Sequence, residues 1–142
     1  MRRRLAGGYE LDDDLSRIDV DAVHDFLANE SYWAQGRPRA VVEDLVRRSQ
    51  RVVGLYVSGS QVGFTRTVSD GVAFAYLADV YVLPEHRGRG LGLALVRFTV
   101  EEGPYASLKW LLHTADMHPL YRELGFGEPD ERLMARDARR AT

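Results

Sequence analysis

Apolar positions along the chain change their period several times, and each change marks an element. Tyr9 to Asp13 is expected as a short first strand, although three successive aspartates break its apolar pattern. Val23, Phe26 and Leu27 recur at helical spacing behind Asp19 or Asp21, either of which can cap a helix. Ser31 to Pro38 is a loop carrying two aromatics, Tyr32 and Trp33. Pro38 opens a second helix with Val41, Val42, Leu45 and Val46 at helical spacing and an end near Ser49.

The period then shortens to that of strands. Val52 to Val57 and Val62 to Val68 read as a pair joined by a tight hairpin at Gly59-Ser60. Asp70-Gly71 makes a second turn into a strand from Ala73 to Val82, apolar on both faces and therefore expected at the centre of a covered sheet. Alternation places Asp79 on the same face of that strand as Leu77 and Tyr81. A helix follows to about Glu102 and is closed by Gly103-Pro104. Lys109 to Thr114 is a further strand, His118 to Leu124 a short helix, and Arg132 to Ala135 a last strand. Arg136 to Arg140 is expected as a solvated tail. The resulting order, βααβββαβαβ, is a mixed α/β (α+β) sandwich around an antiparallel meander.

Composition narrows the class without naming it. A chain of 142 residues suits one domain, 1–142. A formal charge of -2 gives no reason to expect nucleic acid or an anionic membrane as partner. With no cysteine, a disulfide framework, a thiolate metal site and a cysteine acyl-enzyme are excluded. Ala6-Gly7-Gly8-Tyr9-Glu10 follows Met1-Arg2-Arg3-Arg4 where an export signal needs an apolar core, so a cytoplasmic location is expected. Nothing approaches the ~18 apolar residues that span a bilayer. The four histidines, His24, His86, His113 and His118, form no His-x-x-x-His or Glu-x-x-His pair, and no metal is expected.

Candidate chemistry concentrates in Val80-Tyr81-Val82-Leu83-Pro84-Glu85-His86-Arg87-Gly88-Arg89-Gly90-Leu91-Gly92. An apolar strand stops at a proline, two arginines interleave with glycines, and a helix begins at Leu91, Ala94, Leu95 and Phe98. Free N–H groups at that helix start, its dipole and the guanidiniums suit a phosphate-bearing ligand. A nucleotide P-loop needs Gly-Lys before Ser or Thr, and the loop has no lysine. The dinucleotide fingerprint counted from Gly88 and Gly90 needs a third glycine where Leu93 stands.

The remaining pattern, Arg87-x-x-Gly90-x-Gly92, resembles the acetyl-coenzyme A signature of the GNAT N-acetyltransferase superfamily. The preceding Val-x-Val-x-Pro resembles the family's strand into that loop. Downstream, Leu120-Tyr121 and Gly125-Phe126 around a short helix resemble its second motif, and the likeness covers about residues 50 to 135. Pro119 fits the first turn of that helix and Gly125 its C-terminal cap.

The resemblance implies a GNAT fold using acetyl-coenzyme A as co-substrate, without metal. It assigns the pantetheine arm to backbone groups of Val80 and Val82. The pyrophosphate falls to Arg87, Gly88, Arg89, Gly90, Leu91 and Gly92, with the Arg89 side chain either engaged or solvated. Tyr121 is the implied general acid, a phenol of reference pKa ~10 protonating a thiolate whose thiol lies near ~8.5. Asp79 is a candidate general base, because burial on an apolar strand would raise its pKa; a structural hydrogen bond is the alternative. Glu30 is a second candidate, and deprotonation through water a third route.

The loop between the first two helices is expected to wall the acceptor site, from Glu30 through Tyr32 and Trp33 to Arg37. Tyr32 and Trp33 offer an aromatic wall, or Trp33 plugs the core; Arg37 offers a partner for an acceptor carboxylate. His113 and His118 are expected to border the entrance. Two functions stay open: N-acetyl transfer to an amine, expected to be a small molecule, directly in a ternary complex, or a silent coenzyme A-binding regulatory module. A homodimer through an edge strand is compatible with either.

Overall fold

The strand-forming stretches pair into one six-stranded sheet in the computed structural model, which describes residues 1–138. Strands β1 (Arg2–Arg4), β2 (Glu10–Asp12), β3 (Arg51–Val57), β4 (Ser60–Ser69), β5 (Phe74–Val82) and β6 (Lys109–Leu112) lie side by side in chain order. All neighbours are antiparallel except β5 and β6. Helices α1 (Val20–Glu30) and α2 (Arg39–Arg48) intervene between β2 and β3. Helix α3 (Leu91–Glu101) is the crossover that makes β5 and β6 parallel, and α4 (His118–Glu123) follows β6.

Burial divides the helices between the two faces of the sheet. Val23, Phe26 and Leu27 of α1 and Val42 and Val46 of α2 pack with Val52, Phe64 and Tyr81 on one side. Leu91, Leu95 and Phe98 of α3 pack with Leu11, Val53, Leu55 and Val82 on the other. Each fully buried side chain of this size contributes about 1.5–3 kcal/mol. The Asp19 carboxylate caps α1 by accepting from the Ala22 N–H, while Asp21 sits in the first turn and pairs with Arg39.

The structure corrects four expectations. A strand at Arg2–Arg4 precedes the first expected one, and apolar period could not reveal it because charge holds it: Arg2 pairs with Asp12 at 3.2 Å and Arg3 with Glu102. The β3–β4 turn is Ser58-Gly59 rather than Gly59-Ser60, with φ of 50° and 78°, the two left-handed residues that suit a twisted hairpin. No strand forms at Arg132–Ala135. Asp130 instead folds the chain into a turn by accepting from the Arg132 N–H, leaving Leu133 and Met134 without a buried face.

The fourth correction concerns β5. Phe64 pairs with Tyr81 and Arg66 with Ala78, so Asp79 and Val80 together oppose Thr65 in a β-bulge, and Asp79 takes φ of 54°. The extra residue shifts the alternation. Leu77 joins Val96 and Tyr121 on the α3 and α4 side, whereas Tyr81 stacks on Phe26 at 4.0 Å on the α1 side. Asp79 therefore does not share a face with both, as regular alternation had suggested.

Arg51 ties the far end of α3 to the sheet. It is 6% exposed, donates to the Phe98 and Thr99 carbonyls at 3.3 and 2.8 Å, and pairs with Asp13 at 3.0 Å. Its guanidinium thus satisfies carbonyls in the last turns of α3, at the negative end of the helix dipole.

Candidate active site

β5 outruns its parallel neighbour. Pairing with β6 ends at Leu77 and Leu112, so from Ala78 to Val82 the β5 edge has no β6 partner. Pro84–His86 makes one tight turn, held by a bond of 2.7 Å between the Tyr9 hydroxyl and His86 Nδ1. Gly88 and Gly90 follow at φ of 78° and 76°, with open space where a Cβ would stand. Only glycine adopts that backbone without strain. The N–H groups of Gly88 through Gly92 donate to no carbonyl or side chain among the described residues.

Arg87 Nε donates to the Val82 carbonyl at 2.8 Å, tying loop to strand end. A cleft of about 610 Å³ runs along these atoms, lined by Val80, Val82, Arg87, Gly88, Gly90, Leu91 and Gly92, with Glu30 at its rim. Arg89 does not line it. We call this space the glycine cleft.

Tyr121 closes the cleft from α4. Its ring is buried against Leu77, Val96 and Val100 and meets Phe126 edge-on at 5.8 Å, which explains the Gly125-Phe126 closure of the short helix. Burial, reinforced by Tyr32 and Asp116, pushes its hydroxyl up to about 12. Such a phenol stays protonated across the neutral range.

Beyond Tyr121 lies a second space of about 430 Å³, the arginine cavity. Asp79 sits in it with three donors on its carboxylate: Trp33 Nε1 at 2.7 Å, Arg37 Nη1 at 3.0 Å and Arg66 Nε at 2.6 Å. Burial alone would raise its pKa, but the Arg66 and Arg37 guanidiniums and the Trp33 indole outweigh it and hold the carboxyl below the ordinary range. The expected rise in its pKa is therefore not met, and its carboxylate makes the structural hydrogen bonds given as the alternative. Trp33 lines both spaces rather than plugging the core; its indole anchors the loop to Asp79, its ring meets Tyr32 edge-on at 5.0 Å, and it is 39% exposed.

The Tyr32 hydroxyl accepts from the Ala115 N–H at 2.9 Å, linking the α1–α2 loop to the segment before α4. His113 lines the arginine cavity with Nδ1 on the Tyr76 hydroxyl. His118 lines neither space and bonds through Nε2 to the Thr114 carbonyl within its own loop. Arg66, Tyr76 and Asp116 were not anticipated. The signal for Arg66 was present: a charge inside an apolar strand, the same signal that marked Asp79. No group of three or more His, Cys, Asp or Glu side chains could hold a metal ion among the described residues, and no helix there is long and apolar enough to cross a membrane.

Comparison with known proteins agrees with this geometry. The profile of the acetyltransferase (GNAT) domain matches residues 47–128. A Gibberella zeae protein named "Putative acetyltransferase FG08082" is 33% identical over 84% of this chain and 79% of its own length. A Xanthomonas campestris pv. campestris crystal structure, described as "a putative acetyltransferase belonging to the gnat family", superposes with a TM-score of 0.86. It is 38% identical and covers 92% of this chain and 93% of that one. A Clostridium acetobutylicum predicted acetyltransferase, solved with acetyl-CoA, shares the fold at a TM-score of 0.66 and 17% identity, covering 96% of each chain.

Proposed function

Since the chain belongs to the GNAT acetyltransferase family, we propose that it is an N-acetyltransferase that uses acetyl-coenzyme A and a small-molecule amine, joined directly in a ternary complex. The observation that carries this reading is the junction of two spaces at one phenol: Tyr121 and Val80 line both the glycine cleft and the arginine cavity.

The residues present fit the donor. Gly88 and Gly90 leave a cradle that any Cβ would fill, the N–H groups through Gly92 lack partners among the described residues, and the β5 edge beyond Leu77 is open for an extended chain. Arg87 and Gly88 to Gly92 would hold the pyrophosphate, and Val80 and Val82 the pantetheine arm. Arg89 contributes its N–H, with its side chain solvated. When bound there, acetyl-coenzyme A supplies an acyl carbon activated as a thioester.

Tyr121 keeps its proton until the C–N bond forms and the C–S bond breaks, then passes it from Oη to the departing sulfur. Asp79 holds Trp33, Arg37 and Arg66 in place and is a positioning residue. The acceptor's ammonium proton leaves to water before attack, the second proton that nitrogen sheds as the amide forms also leaves to water, and Tyr121 recovers its proton from solvent. The chemistry needs only groups that work at neutral pH, which suits a cytoplasmic enzyme.

Thiol release from acetyl-coenzyme A, followed across an amine panel with mass spectrometry of the products, tests the reading. Amine-dependent release with a product heavier by one acetyl group is expected. Coenzyme A binding without release for any amine would instead point to the silent regulatory module.

A further inference from the structure

We propose that the arginine cavity selects an acceptor bearing both an amine and a carboxylate, an apolar amino acid in chemical class; this rests on the acyl-transfer reading above. The argument begins with charge. Arg37 and Arg66 are permanently cationic, and the ion pairs of both go to a single carboxylate, Asp79, among the described residues. The Asp79 cluster in the cavity lining therefore holds two guanidiniums against one carboxylate and is net positive.

Hydrogen bonding points the same way. Asp79 already accepts from three donors, so little acceptor capacity remains there for an ammonium group. Each guanidinium has five N–H groups, and its bond to Asp79 uses one nitrogen of the three. The side chains of Arg37 and Arg66 are 21% and 14% exposed, partly desolvated, where a carboxylate gains most from a charged donor.

The cavity lining carries a further negative charge as well. Asp116 lines both spaces and sits with Tyr121 where they meet, the place an attacking amine must occupy. An acceptor with its carboxylate on the arginines and its amine toward Asp116 and Tyr121 matches both charges, whereas a polyamine would meet two guanidiniums. Trp33, Tyr76 and Leu77 of the same lining present apolar surface to the acceptor's side chain.

Leucine, methionine and phenylalanine, each compared with its amide and its decarboxylated amine, test the proposal on the unmodified protein. The acids are expected to show kcat/KM about tenfold to a hundredfold above both analogues, as loss of a charged hydrogen-bond partner implies. A second readout avoids turnover: N-acetylphenylalanine, titrated against the labelled protein, should shift the Trp33 indole N–H resonance saturably, and N-acetylphenylalanine amide should bind about tenfold more weakly. Arg37→Gln should erase that difference and Arg37→Lys should restore part of it.

Equal use or binding of acid and amide, or preference for the decarboxylated amine, overturns the carboxylate site while leaving acyl transfer intact. Saturable, acid-selective binding at Trp33 without thiol release for any amine sustains the carboxylate site and overturns transfer. The two readings thus fail separately.

Discussion

The glycine cleft and the arginine cavity share Tyr121 but are made of different material. The cleft is main chain: N–H groups, left-handed glycines and an open strand edge, all within one stretch from Val80 to Gly92. The cavity is side chain: an ion network gathered from the α1–α2 loop, β4 and the β5 bulge. A site made of backbone tolerates little beyond glycine yet asks little of its neighbours. A site made of side chains varies one residue at a time, and each change reaches its partners. That contrast suits a constant donor and a variable acceptor.

The largest effect should come from the side-chain half. Asp79→Asn leaves two guanidiniums without a counter-charge and is expected to lower stability by about 3 kcal/mol, measured by urea unfolding. Asparagine tolerates the left-handed backbone, so the loss reports charge rather than strain. The sign with pH follows from the depressed carboxyl. Its contribution is full above the unfolded value of ~3.9 and is lost as pH falls through the lower folded value. The gap between wild type and Asp79→Asn should therefore close in acid. A gap that persists at the acid end would show that the ion network is not its source.

At the junction, Tyr121→Phe should reduce kcat about tenfold or more with little change in KM for acetyl-coenzyme A, followed by thiol release at saturating acceptor. In the backbone half, Gly90→Ala imposes about 1–2 kcal/mol of strain at φ of 76° and places a methyl over the N–H cradle. Coenzyme A affinity by calorimetry should weaken about tenfold. Gly92→Ala should do least, since its φ is ordinary and its new Cβ would lie 3.4 Å from Leu120 Cδ1, a tolerable contact. A stability change within about 0.5 kcal/mol is expected. If Gly92→Ala proves as harmful as Gly90→Ala, closeness to the ligand rather than backbone conformation governs the cradle.

The same contrast decides what the sequence made legible. Gly88 and Gly90 were readable because closely spaced glycines at a strand-to-helix junction have few physical meanings. Leu120-Tyr121 and Gly125-Phe126 were readable because a capped short helix leaves a local signature. The ion network was only half readable. Asp79, Trp33 and Arg37 drew notice singly, but their joining depends on Arg66 and on a bulge. The bulge left no local mark, because Leu77, Asp79 and Tyr81 alternate as though in a regular strand and only pairing with β4 reveals the extra residue. The three-arginine first strand escaped for a related reason, since its partners are carboxylates on other elements and its own composition carries no period.

Gly103 shows where tolerance to variation ends. It stands in the turn after α3, the kind of position where substitutions usually accumulate harmlessly. A Cβ there would overlap the Arg51 guanidinium, however, and that group is wedged between Asp13 and the carbonyls of Phe98 and Thr99. A methyl group added at Gly103 must therefore displace the anchor of the same helix whose other end forms the proposed anion cradle. A drift in that turn between related chains would have to be matched by a shorter residue at position 51, so the two sites are expected to change together or not at all.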